Sequence, residues 1–507
     1  VNDRISRVGV ALVLCFVVLF VQLNRVQVLQ ADRLRRHPEN LRSIDRSYEQ
    51  GRGSIVSADG VVLARSVDTP GGDFARLREF PEADLFGHVT GFYSYEYGAE
   101  GVERALNDEL AGLTEAQRYE RVGDLFTDRD RTADVTLTLR RDVQAAAREA
   151  LGERKGSVVV LDPRTGGVLA LWSYPSYDPN LLAAHDIDAV RAAWSQLQAD
   201  PAQPMLARAY RERYAPGSTF KVVTASIGVE SGVVTATTPV FAPAASYTPP
   251  ASQNPIANFG GEVCGGNLVE VLTASCNSAF ARMGAELIGP RRMVAGVGPF
   301  GFNTVLPFDL PSPAASVFPV AYGAELSPGV YEDSARLAQA SIGQNDVAAT
   351  PLTMALVAAA VAADGVAWRP HVVDRVVARD GSLLRQVAPE VWQRAVSPTT
   401  AALVRDGMAS VVRAGTARGL ALDGAEIGAK TGTAEVGDGE ATNAWVIGYA
   451  GEPGKPASVA FAVIVEADAG IGEQTGGRIA VPIARAVVAQ ALRAVPTPAT
   501  LQSVPGG

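Results

Sequence analysis

The chain has 507 residues, 47% of them hydrophobic and 20% charged, with 50 Gly and 31 Pro, which excludes a disordered, collagenous or disulfide-dense miniprotein and leaves room for roughly two to four domains. A formal net charge of -9 argues against a nucleic-acid partner, because binding phosphates requires a cationic field. Only four of the 45 basic residues are lysines, Lys155, Lys221, Lys430 and Lys455, so each draws notice as either an accident of composition or a place where chemistry needs an amine that can give up its proton, and two of the four sit in motifs.

Residues 1–7 read as a cytoplasmic N-terminus, too short for a signalling domain, and Val8 to Leu23 as an uncharged apolar run. At 1.5 Å per residue the run covers about 24 Å of a roughly 30 Å hydrocarbon core, which suits a single uncleaved membrane anchor with snorkelling flanks. No small-residue cleavage site follows it and Leu14 precedes Cys15, against signal-peptide removal and lipoprotein processing. Arg25, Arg33, Arg35 and Arg36 outnumber Arg4 and Arg7, against the positive-inside rule; the bulk of the chain is nonetheless placed outside on the chemistry below.

Residues 24–139 read as a polar stalk followed by a β-rich pedestal. Arg52 to Ser66 has two β-rich runs around an Ala58-Asp59-Gly60 turn, a hairpin, and Glu100 to Leu113 has a helical pattern. Residues 140–495 form the second unit. A helix over Arg140–Gly156 leads into strands at Ser157–Asp162 and Val168–Tyr174, and three more strands lie far downstream at Gly424–Thr433, Ala444–Gly451 and Ser458–Asp468, before an Ala-rich helix over Ile479–Val495. The expected fold is α/β (α+β): one five-stranded antiparallel sheet built from distant parts of the chain, with a helical subdomain inserted between them. Residues 496–507 are a flexible Pro-Gly-Ser tail.

Three short motifs carry the chemistry: Ser218-Thr-Phe-Lys221, Ser275-Cys-Asn277 and Lys430-Thr-Gly-Thr433. Each is weak alone; the ordered set is that of the serine penicillin-recognising enzymes. A spacing of three puts Ser218 and Lys221 on one helical face. The serine alcohol needs a base, and Lys221 serves if burial and a neighbouring cation, Lys430, lower its pKa; Lys430 is expected to act as a permanent cation. On a cleft-bordering strand, Gly432 allows close backbone approach and the Thr431 and Thr433 hydroxyls can take a carboxylate. The amides of Ser218 and Thr433 are candidates for an oxyanion hole, Ser275 for passing a proton to the leaving amine, and Asn277 for holding Lys221 and the substrate amide. Asp162, Asp178 and Glu435 are expected in solvated or turn roles. Cys264 and Cys276 are an even pair compatible with an oxidising compartment, either a disulfide or two unrelated thiols; the disulfide is the expectation. His37, His88, His185 and His371 show no ligand spacing, so no metal or cofactor is expected.

With these motifs, and with Arg52-Gly53, Asp59-Gly60, Leu63-Ala64, Gly87–Glu103, Leu161–Asn180, Ser341–Ala355 and Thr431–Glu435, the sequence resembles class B penicillin-binding proteins, most closely the actinobacterial penicillin-binding protein A type. The resemblance runs from about Arg52 to Ala491. It implies a pedestal of the dimerisation type and an extracytoplasmic D,D-transpeptidase domain with Ser218 as nucleophile and Lys221 as base. The implied partners are peptidoglycan stem peptides, covalently bound β-lactams and a SEDS-family glycan polymerase in the membrane. Rival readings are a D,D-carboxypeptidase or β-lactamase, in which water replaces the acceptor amine, and a β-lactam sensor or inactive scaffold.

Overall fold

The computed structural model describes residues 2–26, 48–70, 74–114, 117, 131–436, 441–468 and 474–495; the tail and most of the stalk lie outside these residues. The N-terminal helix spans Asn2–Asn24, beyond both ends of the apolar run. It is the one helix among the described residues long and apolar enough to cross a membrane, and none of its apolar window is buried by the other described residues.

The pedestal is organised around a six-stranded sheet in the order Leu383–Gln386, Val373–Ala378, Ala133–Leu137, Ile55–Val56, Val62–Asp68, Arg76–Glu79. Ile55–Val56 runs parallel to Ala133–Leu137 and the other pairings are antiparallel. Two strands of this sheet come from beyond residue 370, so the sheet crosses the boundary at 139/140 drawn from sequence. The expected hairpin is present, and its turn reaches the second unit: the Asp59 carboxylate accepts hydrogen bonds from the amides of Arg141 at 2.9 Å and Asp142 at 3.3 Å, capping the helix Arg141–Leu151. Burial alone would raise the Asp59 pKa, but these bonds and one from Ser57 hold it below the usual carboxylate value. The helix expected over Glu100–Leu113 is instead two short ones, Gly101–Ala105 and Asn107–Leu110, broken at Leu106. The break accompanies a buried ion cluster in which Glu103 binds Arg52 Nε at 2.8 Å and Arg78 at 2.6 Å, while Arg52 also donates to Asn107 Oδ1 at 2.9 Å.

The second unit contains the five-stranded antiparallel sheet, in the order Glu426–Val436, Ala441–Gly451, Val459–Val465, Gly156–Leu161, Val168–Tyr174. Every position of Val459–Val465 is buried, so both faces of the sheet are covered. The helix Pro351–Ala362, capped by the Thr350 hydroxyl, packs on the three inner strands, and Arg141–Leu151 pairs with Val481–Ala494. The edge strand Val168–Tyr174 is closed off by Gln144, whose amide both accepts from Leu171 N at 2.8 Å and donates to Leu171 O at 3.2 Å. The opposite edge, Glu426–Val436, carries the third motif and borders the site.

Candidate active site

Ser218 sits in a 3-10 turn, Gly217–Phe220, that runs directly into the helix Lys221–Glu230; in such a turn residues three apart eclipse, which brings Ser218 and Lys221 to the same side. Two glycines set this turn against the third-motif strand. Gly217 has φ +52, and a Cβ there would lie 2.8 Å from the Thr433 carbonyl oxygen; a Cβ on Gly432 would lie 2.8 Å from the Pro216 carbonyl oxygen. Neither position tolerates a side chain without separating the Ser218 turn and the strand. The turn is held from behind by Gly217 N donating to Gly343 O at 3.0 Å and Trp445 Nε1 donating to Ala215 O at 3.1 Å. Four residues upstream, the Tyr214 hydroxyl donates to Glu466 Oε1 at 2.8 Å, an oxygen that also accepts from Arg208 at 2.9 Å, while Lys155 pairs with the other oxygen at 2.9 Å.

The second motif enters between the two lysines. Ser275 has φ +59, a left-handed conformation that costs a serine free energy; it places Oγ 2.8 Å from Lys430 Nζ and 3.3 Å from Lys221 Nζ. Lys221 Nζ also donates to the Ser275 carbonyl and to Asn277 Oδ1, both at 2.6 Å, and Asn277 is anchored by its own amide donating to Ala257 O at 2.9 Å. A disulfide joins Cys264 to Cys276, tying the segment before the helix Leu268–Thr273 to the residue between Ser275 and Asn277. Lys430 donates further to Thr431 O at 3.0 Å, and the Thr431 hydroxyl bonds to that of Thr416. Thr433 Oγ1 accepts from Gly476 N at 3.5 Å. Ser218, Lys221, Ser275, Asn277, Lys430, Thr431, Gly432 and Thr433 are thus brought to one cleft.

Both lysine side chains are fully buried. Burial first, and then the charge of Lys430, hold the Lys221 amine well below the ordinary lysine pKa. Burial alone lowers Lys430 to about 7, so near neutrality this amine is partly neutral and not the permanent cation that the sequence suggests. The acceptors around Lys221 fix its geometry. A neutral amine has two N–H bonds, and the Ser275 carbonyl and Asn277 Oδ1 can only accept; with both protons committed there, the lone pair is left for a hydroxyl proton.

The carboxylates seen in the sequence lie in turns or at the surface: Asp162 accepts from Arg164 N at 2.9 Å within its own turn, Asp178 from Asn180 N at 2.9 Å, and Glu435 is exposed. Sequence reasoning missed Thr416, Tyr214, Glu466 and Arg208. None carries a motif, and Thr416 meets Thr431 only through the turn after the helix Pro398–Ala414.

Residues 156–489 match the family described as the penicillin binding protein transpeptidase domain, and residues 52–135 that described as the penicillin binding protein A dimerisation domain. The chain is 41% identical over 506 residues to the peptidoglycan D,D-transpeptidase PbpA of Mycolicibacterium smegmatis, covering 97% of this chain and 99% of that one. With the protein of the same name from Mycobacterium tuberculosis it shares 37% over 508 residues, covering 98% and 100%. Among solved structures, the ceftriaxone acyl-enzyme complex of penicillin-binding protein A from M. tuberculosis superimposes with a TM-score of 0.79 at 36% identity, covering 89% of this chain and 100% of that one. The imipenem acyl-enzyme complex gives 0.78 at 36%, covering 88% and 100%.

Proposed function

The chain belongs to the penicillin-binding protein transpeptidase family, and from that premise we propose a role for each residue of the cleft. The protein is a peptidoglycan D,D-transpeptidase that β-lactams acylate. Neutral Lys221 takes the proton of Ser218 as Oγ attacks the penultimate D-Ala carbonyl; the C–N bond of the terminal D-Ala breaks, and the leaving amine receives a proton through Ser275. An acceptor amine then attacks the Ser218 ester, forming the new peptide bond and returning the proton to Ser218, the same groups serving both halves in reverse order. The Ser218 and Thr433 amides stabilise the oxyanion, and the hydroxyls of Thr431 and Thr433 with the Lys430 ammonium hold the terminal carboxylate.

The observation that carries this reading is the position of Ser275 Oγ between two fully buried amines, 2.8 Å from Lys430 Nζ and 3.3 Å from Lys221 Nζ. Accepting from Lys430 and facing the Lys221 lone pair, the hydroxyl is placed to give its own proton to a leaving amine and take one from Lys221 in return. The test is incubation with lipid-linked substrate and a glycan polymerase. Cross-linked products support transfer to an amine, whereas shortened monomeric peptides alone refute it in favour of a carboxypeptidase.

The N-terminal apolar helix fits a single-pass membrane protein. We place residues 1–7 on the cytoplasmic side and the catalytic unit outside, where stem peptides are cross-linked and where the Cys264–Cys276 disulfide persists. The domain assignment is anchor 8–23, stalk and pedestal 24–139, transpeptidase unit 140–495 and tail 496–507. A SEDS-family polymerase is the proposed membrane partner, on the family resemblance together with an anchor helix whose apolar window is left exposed by the other described residues; co-purification that survives loss of the anchor helix would argue against contact through it.

A further inference from the structure

Next to the helix that leads into Ser275 lies a cavity of about 480 Å³ walled by the helices Leu268–Thr273 and Pro398–Ala414, with Glu262, Glu270, Thr416 and Arg418 in its lining. It meets the motifs at two points. Ala274, also in the lining, immediately precedes Ser275, and Thr416 is hydrogen-bonded to Thr431. The walls are fastened together by the Thr273 hydroxyl donating to Ser410 Oγ at 2.8 Å. Gly415 keeps the space open, since a Cβ there would lie 2.6 Å from the Thr273 carbonyl oxygen. Glu270 gives one carboxylate oxygen to the amide of Asn267 at 2.7 Å and keeps the other. Among the described residues the side chains of Glu262 and Arg418 have no hydrogen-bond or ion-pair partner.

We propose that this cavity is the subsite for the acceptor stem peptide, with Arg418 taking a carboxylate of that peptide and Glu262 and Glu270 its amine or amide N–H groups; the proposal rests on the transpeptidase reading above. By microscopic reversibility the acceptor amine arrives where the leaving D-Ala amine departs. The carboxylate of the leaving D-Ala is assigned to Thr431 and Thr433, so the rest of an acceptor, larger than D-Ala, has to run past Thr431, whose hydroxyl bonds to Thr416 in the cavity lining. A space of about 480 Å³ falls in the range that holds a small ligand, enough for one side chain and its flanking peptide units. The lining carries both signs of charge, as a peptide bearing carboxylates and a free amine requires, and the planar guanidinium suits bidentate capture of a carboxylate.

The test uses the full-length protein, an acyl-D-alanyl thioester as donor and two acceptors: D-alanine, which fills only the leaving-group position, and a soluble stem pentapeptide, whose body reaches the cavity. In each reaction the thioester C–S bond breaks, the thiol leaves, and the Ser218 ester goes either to water or to the amine; the ratio of aminolysis to hydrolysis is read by mass spectrometry. Arg418 is exposed, so its replacement leaves the core intact. The expected result is that Arg418→Ala lowers the pentapeptide ratio about tenfold, the scale of one charge-assisted pair, while Arg418→Lys restores part of it and the D-alanine ratio stays within about twofold. Glu262→Gln lowers the pentapeptide ratio in the same direction. A pentapeptide ratio unchanged in both Arg418→Ala and Glu262→Gln overturns the subsite, as does an equal fall with D-alanine, which would put Arg418 at the leaving-group carboxylate. Failure of the wild-type protein to transfer to either amine would overturn the transpeptidase reading instead.

Discussion

Replacing each motif lysine by arginine separates their roles. At position 221 the substitution removes the only lone pair on the side chain and adds donors to a pocket with no solvent exposure, whose two fixed acceptors, the Ser275 carbonyl and Asn277 Oδ1, already lie at 2.6 Å. Lys221→Arg should therefore lose acylation by a fluorescent penicillin by at least the roughly 10² to 10⁴ that a general base supplies. At position 430 the charge matters more than the lone pair. With a pKa of about 7, the wild-type amine is about half protonated at pH 7 and about 1% protonated at pH 9, so a step that needs its cation to hold a carboxylate falls about fiftyfold over that interval as pH rises. Arginine stays protonated throughout. Lys430→Arg should keep a measurable fraction of activity at pH 7 and lose the descending limb. Second-order acylation rates from about pH 6 to 10 decide the matter. Equal losses for the two substitutions, a milder Lys221→Arg, or a descending limb that survives in Lys430→Arg would each refute the division of labour.

Three further outcomes follow from the geometry. Ser218→Ala should abolish penicillin labelling while leaving thermal unfolding unchanged within about 0.5 kcal/mol, since Ser218 borders an open cleft; residual labelling at the wild-type level would remove it as nucleophile. Cys276→Ala, which breaks the bond to Cys264, should cost about 3 kcal/mol on the chain-entropy model for so short a loop, and reductant should lower the wild-type melting temperature but not that of the variant. Glu103→Gln leaves the buried Arg52 and Arg78 without a counter-charge and should destabilise the pedestal by about 3 to 5 kcal/mol, read as an earlier unfolding transition in calorimetry.

The residues that the structure brings together at the proposed site were legible as motifs because each motif is local: Ser218 and Lys221 share a turn, Ser275 and Asn277 flank one cysteine, and Lys430 to Thr433 lie on one strand. The five-stranded sheet was legible for a related reason, its strands being continuous apolar runs such as Val459–Val465 that only a doubly covered sheet accommodates. What sequence hid is pairing between remote segments. Val373–Ala378 alternates no more clearly than many surface strands, and nothing near it shows that its partner is Ala133–Leu137. The helical pattern over Glu100 to Leu113 reads as one helix because periodicity records apolar positions and is blind to Glu103 turning inward onto two arginines. The charge state of Lys430 was likewise out of reach, since it depends on how completely strand and helices enclose the amine.

The six-stranded sheet bears on how this protein can be divided. A fragment cut at residue 140 keeps Val373–Ala378 and Leu383–Gln386 but loses Ala133–Leu137, which covers the side of Val373–Ala378 away from Leu383–Gln386. The backbone N–H and C=O groups along that side of Val373–Ala378 would then stand open to any extended chain, as on the growing edge of an aggregate. The Arg141–Leu151 helix would lose the Asp59 carboxylate at its N-terminus in the same cut. The catalytic unit therefore does not end where its motifs end: the pedestal completes its surface, and a soluble truncation should begin before Arg52.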